Sequence, residues 1–140
     1  MKHTSLLLVL SLLVLTGCVT REQADTRIAR GCAAGVEIFL DEGFKIKEIK
    51  DTFFKDSSEF GSGYRNVIIK AVESDDWLDV EKQYECVFAE SFGVFNANHR
   101  ATIYQLKVND QVYGNEGGKI KGNFKDHLKL TEIVEQAMNR

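Results

Sequence analysis

The sequence predicts an α+β fold in which two helices pack on one face of an antiparallel sheet. Apolar side chains recur at helical spacing near the beginning of the chain and again near its carboxyl end. Between these two segments, stretches of alternating apolar and polar residues are typical of strands with one buried face. No proline interrupts any of these segments. We therefore expect the order helix, a meander of about four or five strands, and helix.

The first helix is expected over residues 22–41, with Gly43 as its stop signal. Its apolar positions follow one helical stripe: Ile28, Cys32, Val36, Phe39 and Leu40. The thiol of Cys32 should therefore face the sheet.

The strands follow in order along the chain. They are expected over residues 44–55, 64–73, 80–90 and 101–108, with a short strand from Gln111. The first changes its phase of alternation near Glu48, which predicts a bulge. The pair Asn109-Asp110 is typical of a tight hairpin turn. The glycine-rich residues 114–123 are expected to form a loop.

The last helix is expected near the carboxyl end, in the segment that begins at Phe124. Its apolar positions also follow one helical stripe: Leu130, Ile133, Val134, Ala137 and Met138. Both helices can then cover the same face of the sheet.

The first eighteen residues have a different character. Lys2 precedes an apolar run over residues 5–15, which is too short for a membrane span of about 20 residues. A charged start and a short apolar core are typical of a secretory signal. The run ends in Leu15-Thr16-Gly17-Cys18, which resembles the lipobox of bacterial lipoproteins. The alternatives are an ordinary secretory signal with an incidental cysteine, or a short membrane helix.

The resemblance to bacterial lipoproteins implies a defined covalent chemistry at Cys18. The thiol would receive a diacylglyceryl group, the chain would be cut before Cys18, and the new amine would be acylated, for example with palmitate. In this family an Asp after the cysteine often retains the protein at the inner membrane. Val19 stands there, so the implied location is the periplasmic face of the outer membrane. The implied division is a signal peptide 1–17, a tether 18–22 and one domain 23–140.

The two other cysteines, Cys32 and Cys86, are expected to form a disulfide. Cysteine pairs beyond the inner membrane are usually oxidised. Cys86 shares the inward face of its predicted strand with Val80, Tyr84 and Phe88, so both thiols should point into the core. The alternative is a pair of buried free thiols.

Catalytic and nucleic-acid-binding functions find little support in the sequence. The chain is mildly acidic, with a net charge of −3, and it has no basic segment for nucleic acid. A nucleophile elbow has glycine two positions before and two positions after the serine, but Phe60 and Tyr64 stand at these positions around Ser62. The lysine of a phosphate-binding loop is followed by serine or threonine, but Ile120 follows Lys119. His99, expected in a loop, and His127, expected in the first helical turn, lack metal-ligand spacing. We expect no enzyme activity, metal or cofactor.

The stretch 73–81 combines acidic residues with the only tryptophan at an expected hairpin tip. Tryptophan within a polar rim is a common anchor of protein contacts. The candidate docking residues are Asp75, Asp76, Trp77, Leu78 and Asp79. One alternative is that Trp77 and Leu78 cap the core while the acids face water. Another is a loose calcium site, although the spacing of an EF-hand is absent.

Three arginines lie close to the expected anchor: Arg21, Arg27 and Arg30. A tether of about five residues reaches only roughly 17 Å, so these side chains could meet anionic head groups. The alternative is that they are solvated and paired with Glu22 and Asp25.

These observations favour a lipid-anchored periplasmic protein that acts through protein contacts, as an accessory or assembly factor of an envelope complex. Its predicted partners are the membrane, reached through acyl chains on Cys18, and an envelope protein. The alternative function is a binding module for a small or lipidic ligand, held in a groove between sheet and helices.

Overall fold

The computed structural model describes residues 17–140, so the predicted signal segment falls almost entirely outside the described residues. One helix precedes and one follows a six-stranded antiparallel sheet whose strands are in chain order, and both helices pack in one core cluster with the sheet. The helices are α1 (Arg21–Glu37) and α2 (Phe124–Met138). The strands are β1 (Lys45–Asp56), β2 (Tyr64–Ser74), β3 (Asp79–Phe92), β4 (His99–Val108), β5 (Gln111–Glu116) and β6 (Lys119–Lys121). The predicted α+β fold is confirmed.

Neither helix of residues 17–140 combines the length and the apolar character that a membrane crossing requires.

Helix α1 is shorter than its apolar periodicity predicted. It ends at Glu37, with Ile38 as the C-cap. Phe39 and Leu40 continue the apolar pattern because they pack against the core from the following turn. The ring of Phe39 stacks on Tyr113 with a centroid distance of 3.7 Å.

The glycine-rich stretch predicted as a loop instead extends the sheet. It completes β5 and adds the sixth strand, β6. Gly117 and Gly118 form the turn between these strands with φ values of +58° and +77°. Two consecutive left-handed residues are what a two-residue hairpin turn requires. The predicted turn at Asn109-Asp110 is confirmed, with φ values of +50° and +64°.

Strand β1 is irregular, as the change of phase near Glu48 predicted. The register with β2 shifts between Ile46 and Glu48, and again between Ile49 and Asp51. The second shift was not predicted. Because β1 is the edge of the sheet, the bulges distort the row of backbone groups that an edge strand exposes.

The core lies between the sheet and the two helices, which run antiparallel. The helices approach closely at Gly31 and Gly35 of α1. A Cβ atom at Gly31 would lie 2.8 Å from Cγ of Met138, and one at Gly35 would lie 3.0 Å from Cγ2 of Val134. These glycines therefore allow α2 to pack directly on α1 while both helices contact the sheet.

The predicted disulfide between Cys32 and Cys86 is confirmed, with a Cα–Cα distance of 5.8 Å. Both residues are fully buried. The bond joins the middle of α1 to the middle of β3, so it links the two layers of the domain covalently.

Replacing both cysteines with alanine should lower the free energy of unfolding by about 2–4 kcal/mol, because the unfolded chain loses the constraint on a 54-residue separation. Urea denaturation of the wild type and the double variant, with and without dithiothreitol, measures this difference. The reductant should destabilise the wild type and leave the double variant unchanged. Equal stability of the two proteins without reductant would contradict the prediction.

Strand β3 is the longest strand of the sheet. Its 14 residues span roughly 40 Å at about 3.3 Å per residue. We call residues 75–78, which join β2 to β3, the distal hairpin, and residues 93–98, which join β3 to β4, the proximal loop. The two lie at opposite ends of β3, and the amino end of α1 lies at the end with the proximal loop.

Candidate anchoring and docking sites

Cys18, the predicted lipidation site, is exposed and unpaired, and it is followed at once by ordered structure. The N–H of Val19 donates to the carbonyl of Asn96 at 2.8 Å. Thr20 is the N-cap of α1, and its hydroxyl accepts from the N–H of Gln23 at 3.2 Å. Residues 19–22, which were expected to form a tether, make these contacts with the folded domain, and Arg21 and Glu22 lie in α1. A group on Cys18 would be held one residue away from that domain.

The proximal loop is a compact turn that exposes apolar side chains. The N–H of Gly93 donates to the carbonyl of Asn98, and the N–H of Asn96 donates to the carbonyl of Gly93, both at 2.9 Å. Val94 is 77% exposed and Phe95 is 88% exposed. The sequence reasoning missed this loop; an apolar pair between a glycine and two asparagines is the signal that could have found it.

Phe95 and Asn96 both have left-handed backbone conformations, with φ values of +54° and +56°. Asparagine adopts this region readily, whereas phenylalanine is uncommon there. The conformation costs roughly 1–2 kcal/mol for an ordinary L-residue. The loop therefore displays an exposed aromatic ring at some cost in stability.

An ion-pair network fixes the amino end of α1 on β3 beneath this loop. Arg21 donates from both terminal nitrogens to Glu90, at 2.5 and 2.8 Å. The second oxygen of Glu90 also lies 2.9 Å from Nε2 of His99. The side chain of Glu90 is only 8% exposed, and that of His99 is fully buried. The guanidinium of Arg21 lies 5.0 Å from the ring centroid of Phe92, which adds a cation–π contact.

Further contacts extend this network to β2 and α2. Asp25 pairs with Arg21 at 2.8 Å and with Arg65 of β2 at 2.7 Å. Arg27 donates to the carbonyl of His99 at 3.0 Å and to the carbonyl of Met138 at 3.3 Å. The first two turns of α1 are therefore attached to four other elements, namely β2, β3, β4 and α2.

These contacts change the expectations for the arginines and for His99. Arg21 and Arg27, predicted to face head groups, use their guanidinium groups within the domain, whereas Arg30 is exposed. His99 does not lie in a loop. It is the first residue of β4 and is buried, because pairing with Glu90 across the strands satisfies its ring nitrogen.

Electrostatics hold Glu90 in its ionised form. Burial opposes ionisation, but hydrogen bonds from Arg21 and His99 outweigh it and hold the pKa of Glu90 below its usual value. A lowered pKa in the folded state contributes stability above the pKa of the unfolded chain, about 4.3. That contribution is lost as the pH falls through the lowered pKa.

Replacing Glu90 with glutamine should lower the free energy of unfolding at pH 7 by about 2 kcal/mol. This is less than for a fully buried pair, because Arg21 is partly exposed. The difference from the wild type should narrow as the pH falls below the pKa of the unfolded chain and through the lowered pKa of folded Glu90, where its carboxyl group becomes protonated. Chemical denaturation between pH 3 and 7 measures this, with Glu59→Gln at an exposed position as the matched control. A difference that stays constant with pH would contradict the assignment.

The distal hairpin exposes Trp77 and Leu78 to solvent at 96% and 54%. The alternative that these two side chains cap the core is therefore wrong. A carboxylate oxygen of Asp75 accepts from the N–H groups of Trp77 and Leu78 at 3.0 and 2.8 Å. Asp76 completes the turn with φ +77°. Local hydrogen bonds thus hold the backbone beneath the tryptophan.

The acidic residues of the hairpin have their own partners. The bonds from Leu78 and Trp77 lower the pKa of Asp75. The ammonium of Lys47 lies 2.6 Å from Asp79 and lowers the pKa of that carboxyl group. Asp76 lies 3.9 Å from Lys45. Within residues 17–140, no group of three or more histidine, cysteine or acidic residues is placed to hold a metal.

A buried polar cluster lies inside the distal half of the sheet. Glu73 is 1% exposed, accepts from the hydroxyl of Tyr84 and lies 3.2 Å from Nζ of Lys82. Burial and the bond to Glu73 raise the pKa of Tyr84. Because its members satisfy one another, this cluster has the character of a structural contact.

The free space between the helices and the sheet includes a small cavity between β4 and α2. A cavity of about 100 Å³ lies against Ile103, Val134 and Met138, whereas pockets for small ligands are usually about 300–1,000 Å³. A larger open groove of about 480 Å³ lies along α1 beside Val19, Arg27 and Arg30.

The remaining candidates are dispersed. Ser62 lies in the loop between β1 and β2, Lys119 in β6 and His127 in the first turn of α2. The fold therefore does not bring them together into one site.

Comparisons of the chain with protein-family models, with curated proteins and with solved structures found no match.

Proposed function

We propose that this chain is a bacterial lipoprotein of the outer membrane that acts through protein contacts at its distal hairpin, as an accessory or assembly factor of an envelope complex. The observation that carries the proposal is the placement of Cys18 and Trp77 at opposite ends of β3. Acyl chains on Cys18 would hold one end at the membrane, and the other end would present Trp77 to a partner.

The surroundings of Cys18 support the anchoring step. Its thiol is exposed and follows the lipobox-like residues 15–17. The two other cysteines are joined inside the core, so only this thiol among residues 17–140 is available for modification. Diacylglyceryl and amide-linked acyl chains together exceed the two lipid signals that stable membrane anchoring requires.

The length of β3 supports a role for Trp77 at a distance from the membrane. With one end held at the bilayer, the distal hairpin would project roughly 40 Å from it if β3 stands upright. A partner could then contact Trp77 from within the periplasm.

The hydrogen bonds that hold the backbone of the distal hairpin support its use as a docking anchor. Exposed tryptophan is enriched among the residues that dominate binding energy in protein interfaces. Association loses less conformational entropy when the anchor is already held in place. Asp75 holds the backbone of Trp77 and Leu78, while Lys45 and Lys47 neutralise the neighbouring acids.

The anchoring step predicts that Cys18→Ala abolishes incorporation of an alkyne-labelled fatty acid in growing cells, because the thiol that forms the thioether is lost. In-gel fluorescence of the immunoprecipitated protein measures the label. The control is Cys32→Ala with Cys86→Ala, which removes the buried thiols and should stay labelled. Equal labelling of Cys18→Ala and the wild type would rule out this anchor.

The docking step predicts a discrete crosslinked adduct when a photoreactive residue replaces Leu78 and Trp77 is retained. Trp77→Ser in the same protein should remove the adduct, since it deletes the anchor but keeps the turn. The same photoreactive residue at Arg100, exposed at the other end of the sheet, should give no adduct of that mass. Immunoblots of irradiated cells detect the products, and mass spectrometry identifies the partner. An adduct that persists without Trp77, or none at position 78, would refute docking at this hairpin.

A further inference from the structure

We propose that Val94 and Phe95 of the proximal loop insert into the interfacial layer of the same bilayer that holds Cys18. This inference rests on the proposed lipid anchor and adds a second point of membrane contact. The domain would then have a fixed orientation on the membrane rather than turning freely about one residue.

The backbone places the loop beside the anchor. The bond from the N–H of Val19 to the carbonyl of Asn96 joins the residue after Cys18 to the residue after Phe95. Acyl chains on Cys18 would enter the bilayer within a few ångströms of this bond. The tip of the loop therefore lies where the membrane surface would be.

The chemistry of the loop suits the interface between head groups and acyl chains. Val94 and Phe95 are among the most exposed apolar residues of the described chain. The loop sequence Gly-Val-Phe-Asn-Ala-Asn has no charged side chain, so its insertion would bury no ion. Below it, the charges of Arg21 and Glu90 neutralise each other.

The backbone conformation of Phe95 also favours this use. Asparagine or glycine would occupy φ +54° at lower cost than phenylalanine. The side chain makes little packing contact in return, since it is 88% exposed. A strained and exposed aromatic residue indicates a requirement outside the folding of this domain. Insertion into a bilayer beside the anchor would satisfy this requirement. A protein partner on this loop would instead have to fit between the domain and the membrane.

The single tryptophan of the chain allows a direct test. The wild type reports from position 77, and Trp77→Phe combined with Phe95→Trp moves the reporter to the loop. Each acylated protein is reconstituted in vesicles of phosphatidylethanolamine and phosphatidylglycerol, with or without bromine atoms on the acyl chains. Brominated lipid should quench most of the emission from position 95 and leave position 77 unchanged.

Unquenched emission from position 95 in an acylated, vesicle-bound protein would overturn the insertion and leave the lipid anchor standing. Absence of the diacylglyceryl mass on Cys18 would overturn both. Trp77→Phe with Val94→Trp repeats the test where Phe95→Trp disturbs the fold, as judged by circular dichroism. In the variant that carries Trp77→Phe and Val94→Trp, the further change Phe95→Asn should raise the melting temperature and weaken the quenching by brominated lipid. Weaker quenching without a higher melting temperature would contradict the argument from backbone strain.

Discussion

The bidentate contact between Arg21 and Glu90 fixes the first turn of α1 at the end of β3, and the candidate anchor depends on it. Glu90 is nearly buried, so a charge there is tolerated only with a close partner. Its other contact, His99, begins the next strand. Separating Arg21 from Glu90 would remove the contact that joins the first turn of α1 to β3. Such a pair adds less to stability than its Coulomb energy suggests, and its main consequence is that the chain leaves the domain at a defined place.

A second attachment, between Cys32 and Cys86, lies three helical turns further along. Two fixed points prevent α1 from sliding or rotating on the sheet, and close packing at Gly31 and Gly35 extends this restraint to α2. The ionic contact can weaken in acid, whereas the covalent contact cannot. Acidification should therefore weaken the attachment of the amino end of α1 while the disulfide stays intact.

The sequence predicted the elements well because periodicity is local. The helical stripe of Ile28, Cys32 and Val36 shows that Cys32 faces the sheet. The alternation around Cys86 shows that this residue faces the helices. The disulfide could be predicted because both thiols therefore point into the same core. The partner of Arg21 could not, because Glu90 lies 69 residues away and no local pattern relates them. Phe39 extended the predicted helix because a turn can also direct an apolar side chain inward. The exposure of Trp77 depends on how far the hairpin extends beyond its neighbours, which composition does not reveal.

The irregular edge strand β1 would limit association between copies of the chain if they were held together on a surface. Confinement to two dimensions would raise the local concentration of copies far above that in free solution, and copies aligned by a common anchor would present their β1 strands side by side. A flat edge strand in that setting would template intermolecular sheets. The two register shifts in β1 interrupt such pairing. At the opposite edge, β6 has only three residues. Copies crowded on a membrane would then be less able to join through the edges of their sheets.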